Sequence, residues 1–408
     1  MAQNNKHPQK ECCKQKVILG YSGGLDTKFC LAQLKEQGYE VITVTVNTGG
    51  FDEDKLTAIE ESAKELGSSK HYTIDAEEKI YEKIIQYLIK LNGLYEGDYP
   101  IMCSDRHIIA EEMLSIAGKE NTKIVAHGCT GAGNDQVRFD SAILALNSKA
   151  IILAPVRQLA ISRESEIAYL ESKGFEVSIE SKKYTINENI FGTTFSGSEI
   201  DLLKEPDKKA CKLVFLDNGY DANCKYLEIE FKEGLPIKLD GEVIPGIKIL
   251  KKLNAIVGNC GYGKQIYTGD CIIGIKGHIL FEAPGILTLI EAHKKLEQIT
   301  LTKEQIMLNQ TMSSKWADLV YSAKYYEPVV KNIEAYADSV QANVNGIVKI
   351  KLEANRILIV ELSSPNSLLK AEKGSYAQKA TWSSQEAEGF INIYSMQQQI
   401  SMKQSNEK

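Results

Sequence analysis

Two glycine-rich stretches hold the residue types from which chemistry could be built. The first, Val17-Ile-Leu-Gly-Tyr-Ser-Gly-Gly-Leu-Asp-Thr27, carries an apolar run into the start of a helical pattern. Gly23 and Gly24 allow a tight turn and let backbone amides approach a ligand without side-chain hindrance. Ser22 and Thr27 add hydroxyls, and the opening helix offers unpaired N–H groups to an anion. Asp26 repels phosphate; it suits a helix cap or a carboxylate on the Mg²⁺ side of a nucleotide. An ordinary Ser-Gly-Gly turn capped by Asp26 would look the same. The second stretch, Ala126-His-Gly-Cys-Thr-Gly-Ala-Gly-Asn-Asp-Gln-Val-Arg-Phe139, also follows an apolar run. Its three glycines again bare the backbone, while Thr130, Asn134, Asp135 and Arg138 supply donors and acceptors. The planar fork of Arg138 matches a carboxylate, and an amide beside a carboxylate suits a zwitterionic amino acid. A capped helix start at Asn134 or Asp135 is the plain alternative.

These loops need strands to hold them. Val17–Tyr21, Val41–Asn47, His71–Asp75, Ile124–Gly128 and Ile151–Val156 read as buried strands. Helical patterns lie between them at Thr27–Gln37, Asp52–Leu66, Glu77–Lys90, His107–Ala117 and Arg163–Ser172, with Gly38, Gly67 and Gly174 at C-cap positions. The alternation predicts an α/β fold, a doubly wound parallel sheet whose ligands sit at the carboxyl ends of its strands. Beyond about residue 183 the rhythm becomes α+β. Strands are expected at Tyr226–Phe231, Ile272–Ile275, Gly346–Leu352 and Ile357–Leu362, and helices at Gly246–Gly258, Ile286–Leu296 and Thr302–Tyr325. The expected organisation is a loose tail over 1–15, a nucleotide-binding domain over 16–183, a second domain over 184–388 and an amphipathic arm over 389–408. Gly258-Asn-Cys-Gly-Tyr-Gly-Lys264 imitates a nucleotide loop, but Gln265 stands where Ser or Thr should hold Mg²⁺, so it reads as a plain loop.

Composition narrows the field. The 408 residues, 43% hydrophobic and 25% charged, are those of an ordinary globular chain of two or three domains. A net charge of −6 argues against a protein that wraps nucleic acid. Nine scattered cysteines without a Cys-x-x-Cys pair predict reduced thiols, neither zinc ribbon nor disulfide framework. His7, His71, His278 and His293 form no metal-binding spacing. With no apolar run approaching ~20 residues and no secretory pattern, a cytoplasmic location is expected.

Ser22-Gly-Gly-x-Asp26 between strand and helix resembles the pyrophosphate loop of the N-type ATP pyrophosphatases. The second stretch resembles argininosuccinate synthase, and supporting matches run along nearly the whole chain. They include Ala154–Arg157, Ser162-Arg163-Glu164, Tyr184–Asn189, Gly274–Pro284, Leu319-Val-Tyr321, Ser364–Leu368 and Gly389–Ile393. The resemblance implies an AMP-forming ligase in which the ureido oxygen of citrulline attacks the α-phosphorus of ATP. Aspartate then displaces AMP. It implies ATP as substrate with Mg²⁺, a homotetramer, and no nucleic-acid or membrane partner. The implied ATP residues are Gly20, Tyr21, Ser22, Gly23, Gly24, Leu25, Asp26, Thr27, Lys28, Val46 and Gly128, and Asp26 and Arg138 are the implied catalytic pair. Thr130, Asn134 and Asp135 would take aspartate. Tyr99, Ser104, Asn134, Arg138, Thr185, Thr194, Asp270 and Phe281 would take citrulline.

Several positions depart from the family pattern. Lys28 stands at a Ser, Ala132 at a Lys, His107 at an Arg, Val156 at a Trp and Gly277-His278 at Ser-Arg. Gly269 stands at a Glu that meets the acceptor's ammonium, and Phe281 at a Tyr. Arg106 and Asp270, each one place away, are the expected substitutes. Three other readings stay open here: the same adenylation chemistry on another acceptor, a tRNA-modifying thiolase using Cys103 and Cys129, and an inactive nucleotide-binding relative.

Overall fold

The structure, a computed structural model, describes residues 14–175, 184–197, 199–204, 211–215, 225–369, 374–375 and 379–406. The residues before Lys14, with His7, Cys12 and Cys13, and also Cys224, lie outside them. The first half alternates β1 (Lys16–Gly20), α1 (Leu25–Glu36), β2 (Glu40–Asn47), α2 (Glu53–Glu65) and β3 (Lys70–Asp75). A helix interrupted by a π turn at Tyr81–Ile85 follows, as α3 (Glu77–Ile80) and α4 (Gln86–Leu91). Then come α5 (Asp105–Lys119), β4 (Ile124–Ala126), α6 (Asp135–Leu146), β5 (Ile151–Leu153), α7 (Pro155–Leu159) and α8 (Arg163–Ser172).

The strands form a parallel sheet in the order β3-β2-β1-β4-β5. Successive strand residues point to opposite faces, and here both faces are covered. Val17 and Leu19 pack with α1 and α8, whereas Ile18, Ile42, Val44 and Val46 pack with α4 and α5. Two threonines of β2 are buried with their hydroxyls satisfied: Thr45 donates to the Tyr21 carbonyl at 2.6 Å, and Thr43 meets His71 Nδ1 at 2.8 Å. The order reverses between β1 and β4, so the loops leaving these two strands open side by side. Gly38, Gly67 and Gly174 do follow helices, each with φ between 80° and 91°.

The second half adds β6 (Thr185–Asn189), β7 (Gly192–Ser196), β8 (Lys225–Lys232), β9 (Leu235–Leu239), β10 (Glu242–Val243), α9 (Gly246–Gly258), β11 (Lys264–Asp270) and β12 (Lys276–Glu282). It continues through α10 (Pro284–Thr300), α11 (Lys303–Tyr321), α12 (Pro328–Gln341), β13 (Gly346–Glu353) and β14 (Arg356–Ser363). Two antiparallel sheets result, ordered β10-β9-β8-β13-β14 and β11-β12-β7-β6. The imitation nucleotide loop joins α9 to β11, as expected. Ile272–Ile275 is a correction: these residues form the turn between β11 and β12, closed by Cys271 N to the Ile275 carbonyl at 2.8 Å with Gly274 at φ +80°. Ile275 is 58% exposed, so apolar composition alone misled the strand expectation.

Thirteen of the 17 residues of α10 are buried, which makes it the central helix of this half. Its polar residues are mutually satisfied. His293 Nδ1 meets Asn92 Oδ1 at 2.7 Å and His293 Nε2 meets Gln341 Oε1 at 2.8 Å. The Glu297 carboxylate accepts from Asn92, Asn309 and Gln341. The apolar cluster around α10 runs without interruption into the α4–α5 face of the first sheet. Two further helices, α13 (Ser384–Tyr394) and α14 (Met396–Asn406), leave Phe390, Ile391, Ile393, Tyr394, Met396 and Ile400 exposed.

Candidate functional site

The first loop turns at Gly23, whose φ of +72° favours glycine. Gly24 caps α1 without any side-chain hydrogen bond to the helix amides, so the first turn keeps its donors free. Thr27 Oγ1 donates back to the Gly24 carbonyl at 3.0 Å. Gly128, in the loop after β4, lies on Asp26: a Cβ there would approach the Asp26 backbone carbon at 3.1 Å and its Cβ at 3.2 Å. The two glycine loops therefore touch at the reversal of strand order. Beneath them α8 supplies a residue the sequence reading missed. Glu166 is 2% exposed and lies beside Asp26, with its Oε2 buried and without a hydrogen-bond partner; burial, and then the neighbouring Asp26 charge, push its carboxyl up to about 8. Its position three residues after Arg163, on the inner face of α8, was the available signal.

From the second loop, Asn134 and Asp135 open α6, again with no side-chain cap. Asp135 is clamped between two arginines. Arg106 donates from Nε at 3.1 Å and Arg138 from Nη1 at 2.8 Å. Burial opposes the Asp135 charge, but the two guanidinium groups prevail and hold its carboxyl low. Arg106 also grips Asp105 at 2.7 Å and Asn187 of β6 at 2.8 Å, which binds the two halves of the chain together. Arg106 is thus the arginine that enters the site. His107 is fully buried elsewhere, its Nε2 donating to the Val320 carbonyl at 3.0 Å, and burial lowers it to about 4. Beside these charges Ser104 Oγ and Asn134 Oδ1 are buried without a hydrogen-bond partner. Orphaned polar atoms of this kind call for a ligand.

Arg138 is 3% exposed. Its Nε donates to the Tyr321 carbonyl at 3.2 Å and its guanidinium lies 4.7 Å from the Tyr321 ring. An aromatic cluster begins there. Tyr95 stacks on Tyr321 at 3.7 Å, Tyr99 packs on Tyr267 at 5.4 Å, and Phe281 meets Tyr99 at 5.5 Å. In the four-stranded sheet Thr194 pairs with both Asn187 and Phe281, so it shares their face, and Thr185 sits two residues before Asn187 on that face. Tyr99, Ser104, Asn134, Arg138, Thr194 and Phe281 are brought to one region, with Thr185 at its exposed edge.

Other residues lie apart. Lys28 lines a hollow with Ser62, Glu65, Leu66 and Leu170, on the side of α1 that faces α2 and α8. Asp270 pairs with Lys276 at 2.5 Å, and both side chains are more than half exposed. Val46 is a buried β2 side chain on the α5 face. Thr130 is exposed in its loop. Burial raises the Cys103 thiol to about 11, and the Cys129 thiol further. Such thiols are not nucleophiles at neutral pH. Among the described residues no helix is long and apolar enough to cross a membrane.

Comparison with known proteins agrees with this geometry. The arginosuccinate synthase N-terminal HUP domain profile matches residues 16–176, and the C-terminal domain profile of that family matches 184–401. An argininosuccinate synthase of Xanthomonas axonopodis pv. citri is 42% identical over 384 residues, covering 93% of each chain. One from Methanocaldococcus jannaschii is 37% identical over 386 residues, 93% of this chain and 96% of its own. With both halves matched and relatives of this identity along nearly its full length, the chain belongs to the argininosuccinate synthase family.

Proposed function

We propose that the protein is an ATP-dependent ligase that joins citrulline to aspartate, releasing AMP and pyrophosphate. The observation that carries this reading is the contact of Gly128 with Asp26. It joins the uncapped start of α1, free to hold phosphate, to the loop that leads into the charged chain Arg106–Asp135–Arg138. The loop from Gly20 to Thr27 holds the triphosphate with backbone N–H groups, and Thr130, Asn134 and Asp135 hold aspartate. Citrulline lies against Arg138, Ser104 and the aromatic cluster. Its ureido oxygen attacks the α-phosphorus and pyrophosphate leaves; the aspartate amine then forms the new carbon–nitrogen bond as AMP departs. Such a reaction asks the protein for positioning and charge neutralisation more than for a nucleophile.

Mg²⁺ would enter with ATP. Among the described residues no group of three or more His, Cys, Asp or Glu could hold a metal, and Asp26 offers a single carboxylate at the loop. That fits a hydrated ion bound mainly by phosphates, which would neutralise charge on the leaving pyrophosphate. The exposed apolar face of α13 and α14 serves as a cross-subunit arm of a homotetramer acting in the cytoplasm.

A pyrophosphate-release assay with ATP, citrulline and aspartate tests the reaction. Equimolar AMP and pyrophosphate are expected; no release would refute it. Light scattering of the full chain and of a truncation before Gly389 tests the arm, and an unchanged mass on truncation would remove it.

A further inference from the structure

Asp270 is paired with Lys276, and a second carboxylate, that of Glu96, also exposed, stands at the rim of the aromatic cluster. Glu96 sits in the turn Tyr95–Tyr99, closed by Tyr95 N to the Tyr99 carbonyl at 2.8 Å. Its φ is +51°, in the left-handed region that a side-chain-bearing residue adopts only at a cost. The turn aims its carboxylate at the space left empty by Gly269. A Cβ at position 269 would collide with Glu96 Oε2 and with the Tyr267 hydroxyl. Tyr267 donates its hydroxyl to Glu96 Oε2 at 2.7 Å, while the Asp270 N–H is a weak second donor at 3.4 Å.

Charge makes this arrangement informative. Among the described residues no basic side chain pairs with Glu96, since the nearby Lys276 is committed to Asp270. Across the tyrosines, the guanidinium of Arg138 forms the opposite end of the same cluster. An oriented carboxylate without a direct ion-pair partner, with aromatic faces beside it and the Lys276 ammonium held on Asp270, is suited to an ammonium group. We propose that Glu96, oriented by Tyr267, receives the α-ammonium of the acceptor amino acid, and so replaces a side chain that Gly269 cannot supply. This rests on the ligase reading above.

The test measures KM and kcat for citrulline in the full chain, in Glu96→Gln and in Tyr267→Phe, with 5-ureidopentanoate as the acceptor lacking the amino group. Glu96→Gln is expected to raise KM for citrulline roughly 30- to 100-fold, as for a lost charged contact. Its kcat stays within about threefold, its KM values for ATP and aspartate are unchanged, and wild type and variant handle 5-ureidopentanoate alike. Tyr267→Phe, which keeps the ring, raises KM about fivefold. An unchanged citrulline KM in Glu96→Gln, or a parallel loss with 5-ureidopentanoate, overturns the assignment. Calorimetric citrulline binding reads the same contact without turnover. A wild type that binds citrulline but releases no pyrophosphate refutes the ligase reading alone, and loss of that binding in Glu96→Gln still supports the ammonium site. Equal affinity in both proteins, or no binding by either, overturns it.

Discussion

Replacing Glu166 by Gln isolates the carboxyl that supports the phosphate loop. Glutamine keeps the shape beside Asp26, but it cannot ionise. In the folded chain the Glu166 carboxyl is raised from its ordinary 4.5 to about 8, first by burial and then by Asp26. Folding therefore retains a proton that the unfolded chain releases. The stabilisation is complete below about pH 4.5, falls as pH rises toward 8, and is gone above that value. At about 1.4 kcal/mol per pH unit, the full effect is on the order of 5 kcal/mol. Relaxation of the loop will reduce it to a few. Urea denaturation from pH 5 to 9 should show wild-type stability falling relative to Glu166→Gln, with the difference levelling off above about pH 8. Other titrating groups cancel in that difference. Parallel stability curves for the two proteins would refute the argument that a protonated Glu166 underlies Asp26.

Gly128→Ala forces a methyl group against the Asp26 backbone and should cut pyrophosphate release at least ~10-fold while costing ~1–3 kcal/mol of stability, read by thermal melting. Arg138→Lys cannot serve both Asp135 and the Tyr321 carbonyl with one ammonium; activity should fall ~100-fold, more than any loss of ATP affinity measured by calorimetry. The double change Cys103→Ser with Cys129→Ser should leave kcat within a few-fold, because both thiols are raised and stay protonated at neutral pH; loss of turnover with intact folding would restore a catalytic thiol.

The parallel sheet was legible because most of its strands are short apolar or β-branched runs separated by helices, three of them followed by glycine, and short-range pattern determines both; edge strand β3, Lys-His-Tyr-Thr-Ile-Asp, is the polar exception. Gly23, Gly24 and Gly128 were legible for a similar reason, since baring backbone needs glycine wherever the loop goes. The α+β half was harder. Residues 264–282 form two strands with a turn through their most apolar stretch, and turn residues there lack the usual Asn-Gly signature. Helix α11 was expected to reach Tyr325 but ends at Tyr321, with Ala323 at φ +63° and Tyr325 folded inward. The site's missing parts, Glu166, Glu96 and Tyr267, act through long-range neighbours. Nothing near Glu96 in sequence reveals that Gly269, 173 positions away, leaves room for its carboxylate.

The uninterrupted apolar cluster joining the two halves bears on how the chain is made. The N-terminal profile ends at residue 176, yet the side of α4 turned away from the sheet packs against α10, α11 and α12, which run to Gln341. At ~5–20 residues per second, translation leaves that face uncovered for roughly 8–33 s. The nascent first half thus exposes apolar surface that the completed chain buries. Expressed as an isolated fragment ending near residue 176, it should aggregate, and co-expression with the second half should rescue it.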